Sequence, residues 1–202
     1  MHTTAPCETG ARFGVSLLLT CLTAAMGGLL FGYDWVVIGG AKPFYEAYLG
    51  LTGEAMAWKA GFAMSSAVFG CIVGALALGW IPDRHGRKPS LIFAAALFTA
   101  SAVWTALAAG YWDFIAARVL GGVGIGLASN VSPVYIAEMS PARLRGRLVA
   151  LNQLTIVIGI LLAQVVNLLI YNLAPMAADA TAEALRASWN GQVGWRWMFG
   201  AE

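Results

Sequence analysis

Charged side chains are scarce in this sequence. Asp, Glu, Lys and Arg together make up 11% of its 202 residues, whereas soluble globular domains carry about 25%. That shortfall excludes an ordinary soluble domain, and a net charge of +2 offers no broad basic surface for nucleic acid. Cysteine is scarce as well: Cys7, Cys21 and Cys71 stand at no metal-ligand spacing, which excludes a disulfide framework and a zinc module. Cys21 and Cys71 lie inside apolar runs and read as small buried hydrophobes. His2 and His85 have no ligating or catalytic partner at useful spacing, so the sequence predicts no enzyme, no cofactor and no bound metal.

What is abundant is apolar surface and glycine, at 59% hydrophobic residues and 24 glycines. Five long stretches carry no charge: Phe13–Tyr33, Ala60–Pro82, Pro89–Trp112, Val119–Ala137 and Leu148–Ala178. A helix rising ~1.5 Å per residue needs about 20 residues to cross a ~30 Å hydrocarbon layer, and each stretch holds most of one span. The first stretch exceeds the about 7–15 residues of a signal-peptide core, so it reads as a retained helix. The chain therefore divides into a tail over residues 1–12 and a transmembrane unit over residues 13–202. Helices are expected over about 13–40, 58–82, 89–110, 112–138 and 147–172, with a sixth starting from about 195.

Basic residues set the expected orientation. One set of connections holds Arg12, Arg84, Arg87, Lys88, Arg143, Arg145 and Arg147, and the opposite set holds Lys42, Lys59, Arg186 and Arg196. The richer set belongs in the cytoplasm, which puts the amino terminus there. Trp58, Tyr111, Trp112 and Trp195 then fall near the outer interface. Within the spans, Gly70 and Gly74, and Gly122 and Gly126, form small-xxx-small pairs that allow helix backbones to approach closely. The run around Gly122, Gly124 and Gly126 follows no strand, so it reads as helix packing and not as a dinucleotide loop.

Two charges lie well inside the spans, Asp34 and Arg118. Asp34 precedes the expected outer end of the first helix by about five residues, and Arg118 follows Trp112 by six. Both sit ~8–9 Å below the outer boundary, at equal depth and with opposite sign. An unpaired charge there costs at least ~2.5–3.5 kcal/mol, so the two are expected to be partners. Two readings stay open. The pair is an inert bridge between helices, or Asp34 is a proton site that Arg118 keeps ionised in one state and that protonates when the two separate.

Two polar loops and one polar helix complete the candidates. "GWIPDRHGRK" (Gly79–Lys88) joins the second and third helices, and "PVYIAEMSPARLRGR" (Pro133–Arg147) joins the fourth and fifth. Glu138 ends the fourth helix within reach of both basic loops, where carboxylate–guanidinium contacts can latch one face of the bundle. In the fifth helix Gln153 lies ~15 Å from Arg143, near mid-membrane, with Gln164 and Asn167 further out. An amide there either meets the hydroxyl groups of a bound ligand or glues helices together.

These motifs resemble the sugar porter family of the major facilitator superfamily. The first loop matches G-x-x-x-D-R-x-G-R-[RK] through Gly79, Asp83, Arg84, Gly86, Arg87 and Lys88. The second matches P-x-Y-x-x-E-x-x-P-x-x-x-R-G through Pro133, Tyr135, Glu138, Pro141, Arg145 and Gly146. "GGLLFGYD" and "RVLGGVGIGLASN" extend the likeness to residues of about 13–200, and the pattern is similar to the xylose–proton symporters and glucose carriers of that family. The resemblance implies an all-α membrane protein, the amino-terminal half of a twelve-helix carrier, with five complete helices and the start of a sixth. It implies transport of a hexose or pentose across the cytoplasmic membrane.

By the same resemblance, Gln153 and Phe31 face the sugar. Ile160 stands where xylose symporters have a second glutamine and glucose carriers often have isoleucine, which makes the pocket more apolar. Asp34 stands where many animal facilitators have asparagine, which favours sugar–proton symport over uniport. Asp83, Arg84, Arg87, Lys88, Glu138, Arg143 and Arg145 would form the cytoplasmic gate. The partners implied are a monosaccharide, protons, the lipid bilayer and a carboxy-terminal six-helix half that this sequence lacks. A truncated, non-transporting remnant or sensor is the alternative from a different class.

Overall fold

The computed structural model describes residues 10–76, 81–175 and 181–202. Gly79, Ala178 and residues 1–9 of the expected tail lie outside the described residues. Five helices are long and apolar enough to cross a membrane. They are α1 (Gly10–Leu49), α2 (Ala57–Leu76), α4 (Arg87–Leu107), α5 (Tyr111–Met139) and α6 (Arg145–Leu173). Short pieces join them: a 3-10 turn at Glu54–Met56, α3 (Ile81–His85) and α7 (Ala182–Ala187). The sixth helical segment opens as a π-turn at Asn190–Gly194 and continues as α8 (Trp195–Gly200). Among the described residues there is no strand.

The first helix departs from expectation at both ends. It begins at Gly10, inside the expected tail, and runs past residue 40 to Leu49. Gly39–Gly40 and Pro43 read as a stop, because proline lacks the N–H that would bond the carbonyl four residues back. Tertiary packing overrides that signal. Phe44, Tyr45 and Ala47 beyond the proline are buried, the two aromatics in a cluster that also holds Phe114, Trp195 and Phe199. The rings of Tyr45 and Phe114 stack at 5.1 Å, and Phe114 meets Trp195 and Phe199 edge-on at 6.1 and 5.8 Å. The opposite end of the bundle packs through smaller groups, Cys21, Ala24, Ala25 and Ile136.

Helix crossings follow the small residues. α2 lies along α5, and the two glycine pairs meet in that crossing. A methyl on Gly70 would overlap the Val119 carbonyl, and one on Gly122 would overlap the Ala67 carbonyl. α1 lies along α6 in the same manner, through Gly32 against the Ile156 carbonyl and Gly159 against the Leu29 carbonyl. With lipid as apolar as the side chains, such close approach gives the van der Waals contact that holds membrane helices together. Gly122→Ala is expected to force the α2–α5 crossing apart and to cost about 1–3 kcal/mol, as overpacking does. A thermal-stability measurement in detergent checks it. Gly146→Ala, where the added methyl meets nothing within 4 Å, serves as the control.

Two side chains hold α8 in place. Asn190 is buried and donates to the carbonyls of Tyr171 (3.3 Å) and Ala174 (2.8 Å) at the end of α6. Arg196 donates to the Ala106 carbonyl and to the Tyr48 hydroxyl, both at 2.9 Å, while its guanidinium lies over the Tyr48 and Trp195 rings.

Candidate functional site

α1 carries Asp34 and α5 carries Arg118 to the middle of the bundle, where they are 4% and 3% exposed. The contact is bidentate: Nη1 faces Oδ1, and Nη2 donates to Oδ2 at 2.9 Å. Two parallel charge-assisted bonds suit the guanidinium fork. The Phe199 ring lies 5.2 Å from Arg118 Cζ and covers the cation. The Nε of Arg118 and the hydroxyl of Tyr45 are buried with no hydrogen-bond partner among the described residues.

A third charge joins the pair. Glu202 brings its carboxyl close to Asp34 and within electrostatic reach of Arg118. Glu202 is not among the candidates drawn from the sequence. Its signal is there all the same: Glu202 follows Trp195 by seven residues, so it lies ~10 Å below an expected interface aromatic, at the depth of Arg118. The site thus holds two carboxyl groups and one arginine, one acid more than an inert bridge needs.

A cavity of about 170 Å³ opens beside the pair, between α1 and α2 with α5 as its floor. Phe31, Asp34, Trp35 and Ile38 line it from α1, Met64, Val68 and Cys71 from α2, and Arg118 and Ile125 from α5. Phe31, Asp34 and Arg118 are therefore brought together. Gln153 and Ile160 lie on α6, outside this cavity's lining. Gln153 is exposed, while its neighbour Asn152 is buried and accepts from the Ser132 hydroxyl at 3.0 Å. Asn152 and Thr155, which donates to the Ala25 carbonyl at 2.8 Å, are the interhelical polar groups here. Gln164 is exposed, and Asn167 is buried against Gly40.

At the far end, Arg87 joins three elements. Its Nη1 donates to Asp83 at 3.0 Å and its Nε to Glu138 at 3.4 Å, linking α3, α4 and α5. Arg143 and Arg145 are exposed and make no ion pair with Glu138. Lys88 is exposed too, and Arg84 has an interaction of its own. The partner of Glu138 in this conformation is Arg87. Half-exposed pairs of this kind contribute about 0–1 kcal/mol, which suits a contact that must open. Among the described residues no cluster of three or more His, Cys, Asp or Glu could hold a metal ion.

Residues 20–202 match the family model described as sugar (and other) transporter. The chain belongs to the sugar porter family. The glucose transport protein of Synechocystis is 42% identical over 197 residues, covering 98% of this chain and 40% of the relative. The D-xylose-proton symporter of Escherichia coli is 40% identical, covering 90% and 39%. A solved structure of the proton:xylose symporter XylE bound to 6-bromo-6-deoxy-D-glucose superposes with a TM-score of 0.79 at 37% identity, over 93% of this chain and 42% of that one. The chain thus spans about 40% of the length of the curated relatives it matches. Its fold is the amino-terminal half of a major facilitator, and it is a multi-pass membrane protein. Sugar porters are carriers and not enzymes.

Proposed function

We propose that this sugar porter chain forms the proton-handling half of a monosaccharide carrier that works by sugar–proton symport in the cytoplasmic membrane. The observation that carries the reading is the buried Asp34–Arg118 pair with Glu202 beside it, next to a cavity that Phe31 also lines. Relatives named D-xylose-proton and arabinose-proton symporters support the proton, and a relative named glucose transport protein supports a hexose or pentose.

Arg118 can satisfy one carboxylate fully. With two carboxyl groups facing it, the guanidinium's preference falls on one of them at a time. A conformational change that moves Arg118 from Asp34 towards Glu202 would transfer that preference and let a proton on or off. Phe31, Gln153 and Ile160 face the sugar in this reading. Asp83, Arg84, Arg87, Lys88, Glu138, Arg143 and Arg145 make the cytoplasmic gate, which puts the amino terminus inside. Uniport with a fixed Asp34–Arg118 bridge is the competing mechanism.

The test is proton movement. In vesicles holding the protein at the full length its gene encodes, adding D-glucose or D-xylose should draw protons inward with the sugar. Sugar entry without proton entry would establish uniport. In the same vesicles Gln153→Ala is expected to weaken sugar binding by about 1–3 kcal/mol, because a desolvated sugar hydroxyl loses its partner. Unchanged affinity at normal abundance would remove Gln153 from the pocket.

A further inference from the structure

The cavity between α1 and α2 has a wall that the transport reading leaves unused. Trp35 is 63% exposed although it adjoins the buried Asp34. It stands one helical turn outward from Phe31 on the same face of α1, and both residues line the cavity together. Met64 and Val68, 38% and 40% exposed, form the facing wall on α2. α1 continues well beyond Trp35, to Leu49, so this indole stands inside the helix and not at the end where belt tryptophans anchor.

Apolar walls with a few convergent polar groups are how proteins hold small polyols and other compact ligands. A pyranose ring is itself two-sided, with C–H groups on its faces and hydroxyls around its edge. An indole plane fits the C–H face, Met64 and Val68 close the opposite side, and the Asp34–Arg118 floor meets the hydroxyl edge. A cavity of about 170 Å³ is on the scale of one such ring.

Resting on the transport reading, we infer that this cavity is a monosaccharide subsite on the outer side of Phe31, and that Trp35 is its stacking platform. Sugar bound there lies against the proton site, so occupancy and the state of Asp34 are coupled by contact.

The cavity carries its own reporter, because the thiol of Cys71 lines it from α2 and is partly exposed, whereas Cys21 is buried. In membranes holding the protein at its full encoded length, with Cys7→Ser and Cys21→Ala, N-ethylmaleimide should label Cys71. D-glucose or D-xylose should slow that labelling. Trp35→Ala should raise the half-protecting sugar concentration about tenfold, the scale of one lost aromatic contact. Trp35→Phe should keep most of the protection. Trp35→Leu, similar in bulk but without an aromatic face, should lose it, which separates stacking from packing should the alanine variant fail to fold.

Three results would overturn the subsite. Cys71 unreactive without sugar means that the cavity is covered. A labelling rate indifferent to a sugar that is transported means that the sugar binds elsewhere. Half-protection unchanged by Trp35→Ala and Trp35→Leu means that the indole is no platform. In the last two cases uptake persists and the transport reading stands, whereas absence of any sugar uptake by the unsubstituted protein would end both.

Discussion

The Asp34→Asn protein is expected to bind sugar and to lose all accumulation of it against a gradient. Asparagine keeps the size of the side chain and an acceptor for Arg118, and it removes the change of charge. Glu202 stands close enough to become the counter-ion of Arg118 in the variant, so the substitution should spare abundance and stability. Sugar exchange between the two sides of a vesicle, which needs no net proton movement, should survive. The measurement is concentrative uptake under an imposed proton gradient, read beside sugar-induced proton uptake and protein abundance. If the variant still concentrates sugar, Asp34 is not the coupling group and the fixed-bridge reading replaces it.

Arg118→Met produces the largest expected loss of stability. It keeps a long flexible side chain to fill the space under Phe199, and it leaves Asp34 and Glu202 facing each other without a cation. Breaking a buried pair by removing one partner costs about 3–5 kcal/mol, because the remaining charge is stranded. Part of that cost should return in the Asp34→Asn/Arg118→Met double variant, which removes one of the two stranded carboxylates and leaves Glu202. Thermal midpoints of the four proteins in detergent complete the cycle. Additive losses would mean that the two side chains do not act as a pair. Full stability of Arg118→Met alone would mean that water reaches the site freely.

The pairing of Asp34 with Arg118 is legible in the amino-acid sequence, because the cost of burying either charge alone forces them together. The depth of Asp34 is not, because it counts from an expected helix end near Gly39, and α1 runs on to Leu49. Gly70, Gly74, Gly122 and Gly126 are legible for a similar reason. Glycine four apart in an apolar helix has few uses besides close approach, and the two pairs do meet each other. Gln153 and Asn152 show the limit: both are mid-span amides, and only the azimuth of α6 makes one exposed and the other interhelical glue.

By itself, then, the sequence determined everything that depends on length and hydropathy: a membrane protein, five spans, and the charges that cannot stand alone. It determined these because the bilayer is a solvent with one axis, and position along that axis follows from residue count. What lies across the axis was decided by the tertiary structure. α1 continues through Pro43 because Phe44 and Tyr45 find an aromatic core supplied by α5 and α8. Glu138 takes Arg87 because α3 and α4 bring that guanidinium nearest, while Arg143 and Arg145 face outward. Glu202 comes beside Asp34 because Asn190 and Arg196 tie α8 against its neighbours. Trp35, Met64 and Cys71 share a cavity for the same reason: two successive helices are held at one spacing by α5, a lateral relation that no periodicity within a single helix records.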